Sequence, residues 1–280
     1  MIRILTDSTC DLERERAQEL GVEIIPITIH FADRSYVAGE EITTAEFYEK
    51  LSQAETLPTT SQITPIRFEE IFRRYVEAGD EIIGLFISSR LSGTYQSAMV
   101  ARDAVAPEKI YIVDTLNVTF GAAILIEEAV KMRSRGMSAD GIASGIAKLV
   151  PRIRIAAYAD TLKYLKMGGR ISAATAVLGG ALGILPMIAV QNGEVISIGK
   201  VRGQRNAFQF LLRYMEEYRR CPEYPLVFAH SNSPAALERF LCFCAEKGIR
   251  KKDSFVINIG SVVGTHLGPG AVGVAYVEEE

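Results

Sequence analysis

The sequence of 280 residues has no tryptophan, few cysteines and no excess of basic side chains. Its 31 Lys and Arg residues are outnumbered by 34 Asp and Glu residues, so the net charge is -3. Proteins that bind nucleic acids present a basic surface to the phosphates, and they often add aromatic side chains that stack on bases. The composition therefore predicts no nucleic-acid partner.

The four cysteines, Cys10, Cys221, Cys242 and Cys244, lack the spacing of a zinc site. The two cysteines in CFC are separated by one residue, and the sequence has no second closely spaced pair that could complete a zinc site. We expect free thiols, no metal and a reducing compartment. No apolar stretch reaches the length of a membrane span, and the N-terminal MIRILTDST soon becomes polar, unlike a signal peptide. The predicted location is cytoplasmic, with no membrane-spanning segment.

The order of apolar runs predicts an α/β fold of two domains. IRILTDST, VEIIPITIHF, EIIGLFIS and KIYIVDT are predicted strands that alternate with predicted helices, which favours a parallel sheet covered on both faces. Further along, the predicted strands RIAAYAD, MIAVQNGEVISIGKV, PLVFAHS and DSFVINIGSVVGTH are spaced irregularly. The Asn-Gly of VQNGEVI predicts an antiparallel hairpin. We therefore predict an N-terminal α/β/α domain at 1–155 and a C-terminal α+β domain with a largely antiparallel sheet at 156–280.

A glycine-rich stretch near the end of the chain, THLGPGAVG, matches the G-x-G-x-x-G pattern of dinucleotide-binding loops. That loop works only between a strand and a helix of a βαβ unit, and just VAYVEEE follows here. Neither a phosphate-binding P-loop nor an H-E-x-x-H motif occurs. The sequence predicts no cofactor. We expect the glycines instead to form a turn that brings His266 close to a ligand.

Hydroxyl groups collect in two loops that precede predicted helices. LPTTSQITP places Thr60 and Ser61 before one helix, and ISSRLSGTYQSA brings Ser92 and Gly93 to the start of another. Helix N-termini at the carboxyl ends of parallel strands can bind anions, although such hydroxyls also serve simply as helix caps. With His266, Ser92 raises the alternative of an acyl ester hydrolase, but Ser92 is not in a G-x-S-x-G elbow.

Six ordered motifs resemble those of the DegV family of bacterial fatty-acid-binding proteins. They are ILTDST, LPTTSQ, ISSRLSGTYQSA, YLKMGGRIS, NGEV with GKVRG, and GTHLGPGAVGVAY. The resemblance implies a DegV-like fold with a long-chain fatty acid between the two domains. It also implies a non-catalytic subunit that presents the fatty acid to a separate ATP-dependent fatty acid kinase, which makes acyl phosphate for phospholipid synthesis.

The resemblance also implies roles for individual residues. Thr60 with Ser61, Ser92 with Gly93, and His266 correspond to the residues that bind the fatty-acid carboxylate. Arg170 in GGRIS and Arg202 in KVRG correspond to basic positions that contact the partner or a phosphate. Ile63 stands where the family usually has proline, and Met167 where a basic residue is common. The stretch AATAVLGGALGILPMIAV is rich in small and branched residues that could line a tunnel for the acyl tail.

Overall fold

The structure is a computed structural model that describes residues 1–171, 183–249 and 254–280. Within these ranges the strands are β1 (Ile2–Asp7), β2 (Val22–Ile25), β3 (Thr28–His30), β4 (Ser35–Val37), β5 (Thr59–Ser61), β6 (Glu81–Phe86), β7 (Ile110–Asp114), β8 (Ile153–Tyr158), β9 (Ile184–Gln191), β10 (Glu194–Arg202), β11 (Leu226–His230), β12 (Ser254–Asn258) and β13 (Val272–Val277).

The α-helices of the same ranges are α1 (Arg14–Leu20), α2 (Thr44–Gln53), α3 (Pro65–Glu77), α4 (Thr94–Val105), α5 (Thr119–Ser134), α6 (Ala139–Leu149), α7 (Lys163–Met167), α8 (Gln204–Glu217), α9 (Pro234–Glu246) and α10 (Ser261–Leu267). Across these described ranges, no helix combines the length and the apolar character that crossing a bilayer requires.

The first sheet is parallel throughout and has the strand order β2-β1-β6-β7. Its strands are apolar on both faces, and successive side chains point to opposite sides. Ile83 and Leu85 pack toward α5 and α6, whereas Ile82 and Phe86 pack toward α3 and α4. Helices therefore cover both faces, and the predicted parallel α/β/α layers are confirmed.

The second sheet has six strands in the order β10-β9-β8-β13-β11-β12. Every neighbouring pair is antiparallel except β11 with β12. Asn192 and Gly193 have φ values of 50° and 84°, the left-handed conformation that a tight hairpin turn requires. The predicted antiparallel character and the Asn-Gly hairpin are both confirmed.

Helix α5 joins the two sheets into one structure. It contacts β1 and β6 of the first sheet and β8, β11 and β13 of the second. Its residues from Thr119 to Ile126 are all buried, as expected for a helix that is apolar around its whole circumference. The division predicted between residues 155 and 156 falls inside β8, which pairs along its length with β13 of the second sheet.

Two predicted strands were wrong in extent. VEIIPITIHF is not one strand, because Pro26 lacks the N–H that continuous pairing needs. It separates β2 in the first sheet from β3, which pairs with β4 and β5 in a small antiparallel sheet. DSFVINIGSVVGTH was also predicted as a strand, but it becomes helix α10 after Gly260, which places His266 on a helix instead of in a glycine-rich turn.

Candidate functional site

A cavity of about 210 Å³ lies between the two sheets, at the carboxyl ends of β1, β6 and β7. Its polar end is lined by Thr60, Ser61, Gln62, Ser92, Arg170 and His266. Its remaining walls are mainly apolar and come from β8, β9, α5 and α10, with Ile155, Ala157, Ile188, Val190 and Val262 among them. The cavity therefore suits a largely apolar molecule with one polar end.

The loops that form the polar end are set by their helix caps. Thr64 caps α3 by accepting a hydrogen bond from the Arg67 backbone N–H, and Pro65, which needs no N–H donor there, is the first helical residue. This start of α3 leaves Thr60 and Ser61 in the preceding strand β5, which pairs with β3. Gly93 caps α4, so Ser92 lies immediately before the N-terminus of that helix.

His266 and Thr60 form a hydrogen bond across the cavity end. The His266 Nε2 lies 3.0 Å from Thr60 Oγ1, which connects α10 to β5. Burial, and next the positive charge of Arg170, lower the pKa of His266 from 6.5 to about 4, so the ring is neutral near pH 7.

The tautomer of His266 follows from its surroundings. Its Nδ1 is buried and has no hydrogen-bond partner among the described residues. A hydrogen on Nδ1 would have no acceptor. We therefore assign the hydrogen to Nε2, which then donates to Thr60 Oγ1. With one lone pair of its hydroxyl occupied in this way, Thr60 has its own hydrogen available for an acceptor in the cavity.

Ser92 is held by Thr94 and is not bonded to His266. The Thr94 backbone N–H donates to Ser92 Oγ at 3.2 Å, and the two hydroxyl oxygens lie 3.0 Å apart. Within the described part of the chain, no hydrogen bond joins Ser92 to His266. A serine nucleophile needs a base within hydrogen-bond reach, and His266 is instead paired with Thr60.

Two residues of this site were missed by sequence reasoning, Gln62 and Thr94. Gln62 Nε2 donates to Ser97 Oγ at 3.0 Å, and a Cβ added to Gly93 would lie 2.0 Å from Gln62 Oε1. Gly93 is therefore needed for close approach of this amide. Both missed residues belong to the motifs TSQ and SGT, so their positions beside Ser61 and Ser92 were the available signal.

The two arginines have different environments. Arg170 lines the polar end of the cavity, where its Nε donates to the Leu91 carbonyl and its Nη1 to the Gly168 carbonyl, at 3.2 and 2.6 Å. Arg202 is exposed at the end of β10 and is not among the residues that line the cavity. The structure thus brings Thr60, Ser61, Ser92, Gly93, Arg170 and His266 together on one cavity and leaves Arg202 apart.

The structure also shows where the two residues lie that depart from the DegV-family motifs. Ile63 is buried, and its backbone N–H, which proline would lack, lies 3.4 Å from Thr94 Oγ1. Met167 ends α7 and is 64% exposed. Of the predicted tunnel stretch, residues 173–182 lie outside the described residues, whereas Ile188, Ala189 and Val190 of β9 line the cavity.

Comparison with known proteins gives consistent matches along the whole chain. The family model described as uncharacterised protein, DegV family, matches residues 1–279. A DegV domain-containing protein of Caldanaerobacter subterraneus subsp. tengcongensis is 33% identical over 283 residues, which cover 99% of each chain.

Solved structures agree with this assignment. A fatty-acid-binding DegV family protein from Thermus thermophilus is 29% identical with a TM-score of 0.90, and the match covers 99% of each chain. A stearic acid-binding protein from Eubacterium ventriosum is 28% identical, also with a TM-score of 0.90, over 99% of this chain and 98% of its own. From the sequence match and the shared fold, this chain belongs to the DegV family.

Proposed function

We propose that the protein binds a long-chain fatty acid in the cavity between its two sheets. The carboxylate lies at the polar end with Thr60, Ser61, Ser92, Gly93 and His266, and the tail extends between β9 and α5. The observation that carries the proposal is that the hydroxyls of Thr60, Ser61 and Ser92 lie together on a cavity whose other walls are mainly apolar. The fatty-acid-binding proteins of Thermus thermophilus and Eubacterium ventriosum, which share the fold, support it.

The two ends of the ligand contribute differently. Burial of an acyl chain yields about 0.8 kcal/mol per CH₂, so some fifteen methylenes supply roughly 12 kcal/mol before the cost of association. A carboxylate loses hydration when it is buried, and hydrogen bonds from the hydroxyls of Thr60 and Ser92 offset that loss. The tail therefore provides the affinity, and the polar end fixes the orientation.

We further propose that the protein is a non-catalytic, cytoplasmic subunit that presents the bound carboxylate to a separate ATP-dependent fatty acid kinase. The product, an acyl phosphate, would supply phospholipid synthesis. The chain has no P-loop motif of its own. The alternative of an ester hydrolase is disfavoured because His266 is bonded to Thr60 and is not placed to activate Ser92.

The binding proposal is tested on purified protein before and after lipid removal. Native mass spectrometry should show a fatty-acid adduct, and palmitic acid added to delipidated protein should raise the melting temperature. Methyl palmitate, which has the same tail and no charge, is the matched ligand control and should bind more weakly. Absence of both an adduct and a palmitate-dependent shift would overturn the proposal.

The catalytic alternatives need separate measurements. A chromogenic acyl ester should not be turned over by the protein, and ATP should not bind to it alone. Acyl phosphate should form only when the fatty-acid-loaded protein, ATP and a cognate kinase are combined. Ester turnover that disappears in Ser92→Ala would support the hydrolase instead.

A further inference from the structure

We propose that Thr94 is a positioning residue that fixes the direction of the Ser92 hydroxyl, so that Ser92 acts toward the ligand only as a hydrogen-bond donor. This inference rests on the proposed binding of a fatty-acid carboxylate, and it adds to that site the residue that orients one of its hydroxyls. Thr94 itself is not among the residues that line the cavity.

Thr94 occupies a fully enclosed position between the two hydroxyl-bearing loops. It is the first residue of α4, and 0% of its surface is exposed. Its Oγ1 accepts a hydrogen bond from the backbone N–H of Ile63 at 3.4 Å and lies 3.0 Å from Ser92 Oγ. The Thr94 hydroxyl therefore links the loop that carries Thr60 to the loop that carries Ser92.

The distance between the two hydroxyls does not say which of them donates, but their surroundings do. If Ser92 donated to Thr94, the hydrogen of Thr94 would be buried with no acceptor among the described residues. A buried donor without a partner is costly. If Thr94 donates to Ser92, its hydrogen has an acceptor and its lone pair still accepts from Ile63.

This direction determines what Ser92 can offer to a ligand. Ser92 Oγ then accepts two hydrogen bonds, one from the Thr94 hydroxyl and one from the Thr94 backbone N–H at 3.2 Å. A serine hydroxyl has two acceptor lone pairs and one hydrogen. Both lone pairs are occupied, so the remaining hydrogen is directed to the cavity that Ser92 lines.

A group that only donates is matched to a ligand that only accepts. An ionised carboxylate has no hydrogen to give, and hydrogen bonds to it are stronger than those between neutral groups. Thr60, also at the polar end, has the same arrangement, since His266 occupies a lone pair of its hydroxyl. The hydroxyl oxygens of Thr60 and Ser92 thus each accept a hydrogen bond from a neighbouring side chain, which leaves their own hydrogens for the ligand.

The test is a double-mutant cycle between Ser92 and Thr94, with palmitic acid as the probe and delipidated full-length protein. Thr94→Val removes the hydroxyl and nearly keeps the shape, and it should weaken palmitate binding by roughly 10-fold. Thr94→Ser keeps the hydroxyl and should bind within about 2-fold of the wild type. In the Ser92→Ala background, Thr94→Val should change palmitate affinity by less than about 2-fold, because the Ser92 hydroxyl that Thr94 orients is absent.

Two controls separate orientation from stability. Thr115→Val removes another fully buried threonine hydroxyl, which bonds to the Phe86 carbonyl and does not line the cavity, so it should lower stability more than palmitate affinity. Methyl palmitate should be less sensitive to Thr94→Val than palmitate is. Should Thr94→Val fail to fold, Thr94→Ala provides a second variant without the hydroxyl and carries the same expectations.

The possible outcomes distinguish this inference from the proposed function. If the wild type does not bind palmitate, the proposed function is overturned and the inference falls with it. If the wild type binds palmitate but the fold losses in affinity from Ser92→Ala and Thr94→Val multiply in the double variant, only the positioning role of Thr94 is overturned. The same holds if Thr94→Ser binds palmitate as weakly as Thr94→Val does.

Discussion

The Ser88 hydroxyl donates a hydrogen bond of 2.7 Å to the backbone carbonyl of Gly193. Ser88 is fully buried just after β6 of the first sheet, and Gly193 is at the tip of the β9–β10 hairpin of the second. Because Ile188, Val190 and Val195 of this hairpin line the cavity, the bond fixes one wall of the cavity against the opposite sheet.

Replacement of Ser88 by alanine should destabilise the protein. The Gly193 carbonyl would lose its buried partner, which we expect to lower the free energy of unfolding by about 1–3 kcal/mol in urea titrations. Ser89→Ala is the matched control, since Ser89 is the exposed neighbour and should change stability by less than about 0.5 kcal/mol. Equal effects of the two substitutions would contradict a structural role for the Ser88 bond.

A side chain at position 193 should be harmful for two separate reasons. Gly193 has a φ of +84°, and a Cβ there would lie 2.5 Å from Ser88 Oγ. Gly136 has a φ of +77° but no atom within 4 Å of its added Cβ. Gly136→Ala should therefore cost only the backbone strain of about 1–2 kcal/mol, and Gly193→Ala should cost more.

Thermal and urea unfolding of both glycine variants measure this difference. An additional loss of palmitate affinity is expected for Gly193→Ala alone, because only that position lies in the hairpin whose residues Ile188, Val190 and Val195 line the cavity. If Gly136→Ala is as destabilising as Gly193→Ala, the contact between Ser88 and the hairpin tip contributes nothing beyond the turn conformation.

Most of the layered fold could be predicted because its signals are local. Continuous apolar strands alternate with capped helices in the first half, and Asn192 with Gly193 specifies a hairpin in the second. The sequence could not show that α5 contacts both sheets, because an apolar helix does not reveal how many neighbours it has. Apolar periodicity likewise did not separate β12 from α10, since short apolar runs fit both structures.

The candidate site was predicted less completely than the fold. Thr60, Ser92 and His266 were identified from motifs, and their placement on one cavity depended on long-range folding that no local pattern encodes. Thr94 was missed because its role comes from a hydrogen-bond direction between two loops about thirty residues apart in sequence. Arg170 and Arg202 were treated alike because both stand in similar basic motifs.

Gly93→Ala should separate ligand binding from folding. Gly93 has a φ of -74°, which alanine tolerates, but the new Cβ would displace the Gln62 amide and its hydrogen bond to Ser97. Because the displaced group is the end of a flexible side chain, we expect a small loss of stability and a roughly 10-fold loss of palmitate affinity. An affinity equal to that of the wild type would show that Gln62 does not shape the polar end.

The two arginines should give different phenotypes. Arg170→Ala removes the donors to the Leu91 and Gly168 carbonyls at the cavity, so it should weaken palmitate binding as well as acyl-phosphate formation with a cognate kinase. Arg202→Ala should leave palmitate affinity unchanged, because Arg202 does not line the cavity, and lower only the kinase-dependent step. Full kinase-dependent activity of Arg202→Ala would contradict the partner or phosphate contact that the family resemblance implies for Arg202.

Loss of stability in mild acid should depend on His266. Its pKa is about 4 in the folded protein, below its ordinary value of 6.5, so the unfolded chain binds more protons between these two values. The contribution of His266 to the free energy of unfolding is therefore fully present above about pH 6.5 and is lost as the pH falls through about 4. This contribution is at most roughly 3 kcal/mol. Burial raises the pKa of Asp11 to about 8, which gives stability the opposite dependence, decreasing as the pH rises toward that value.

Comparison with His266→Gln separates the pH dependence that comes from His266 from that of other titrating groups such as Asp11. Glutamine can still donate to Thr60 and does not titrate, whereas Asp11 is present in both proteins and its effect cancels in the difference. Urea unfolding of both proteins at about pH 7.5 and about pH 4.5 should show the advantage of the wild type shrinking at the lower pH. A difference in unfolding free energy that stays constant across this range would mean that His266 titrates alike in the folded and unfolded chains, and that burial beside Arg170 does not keep its ring neutral.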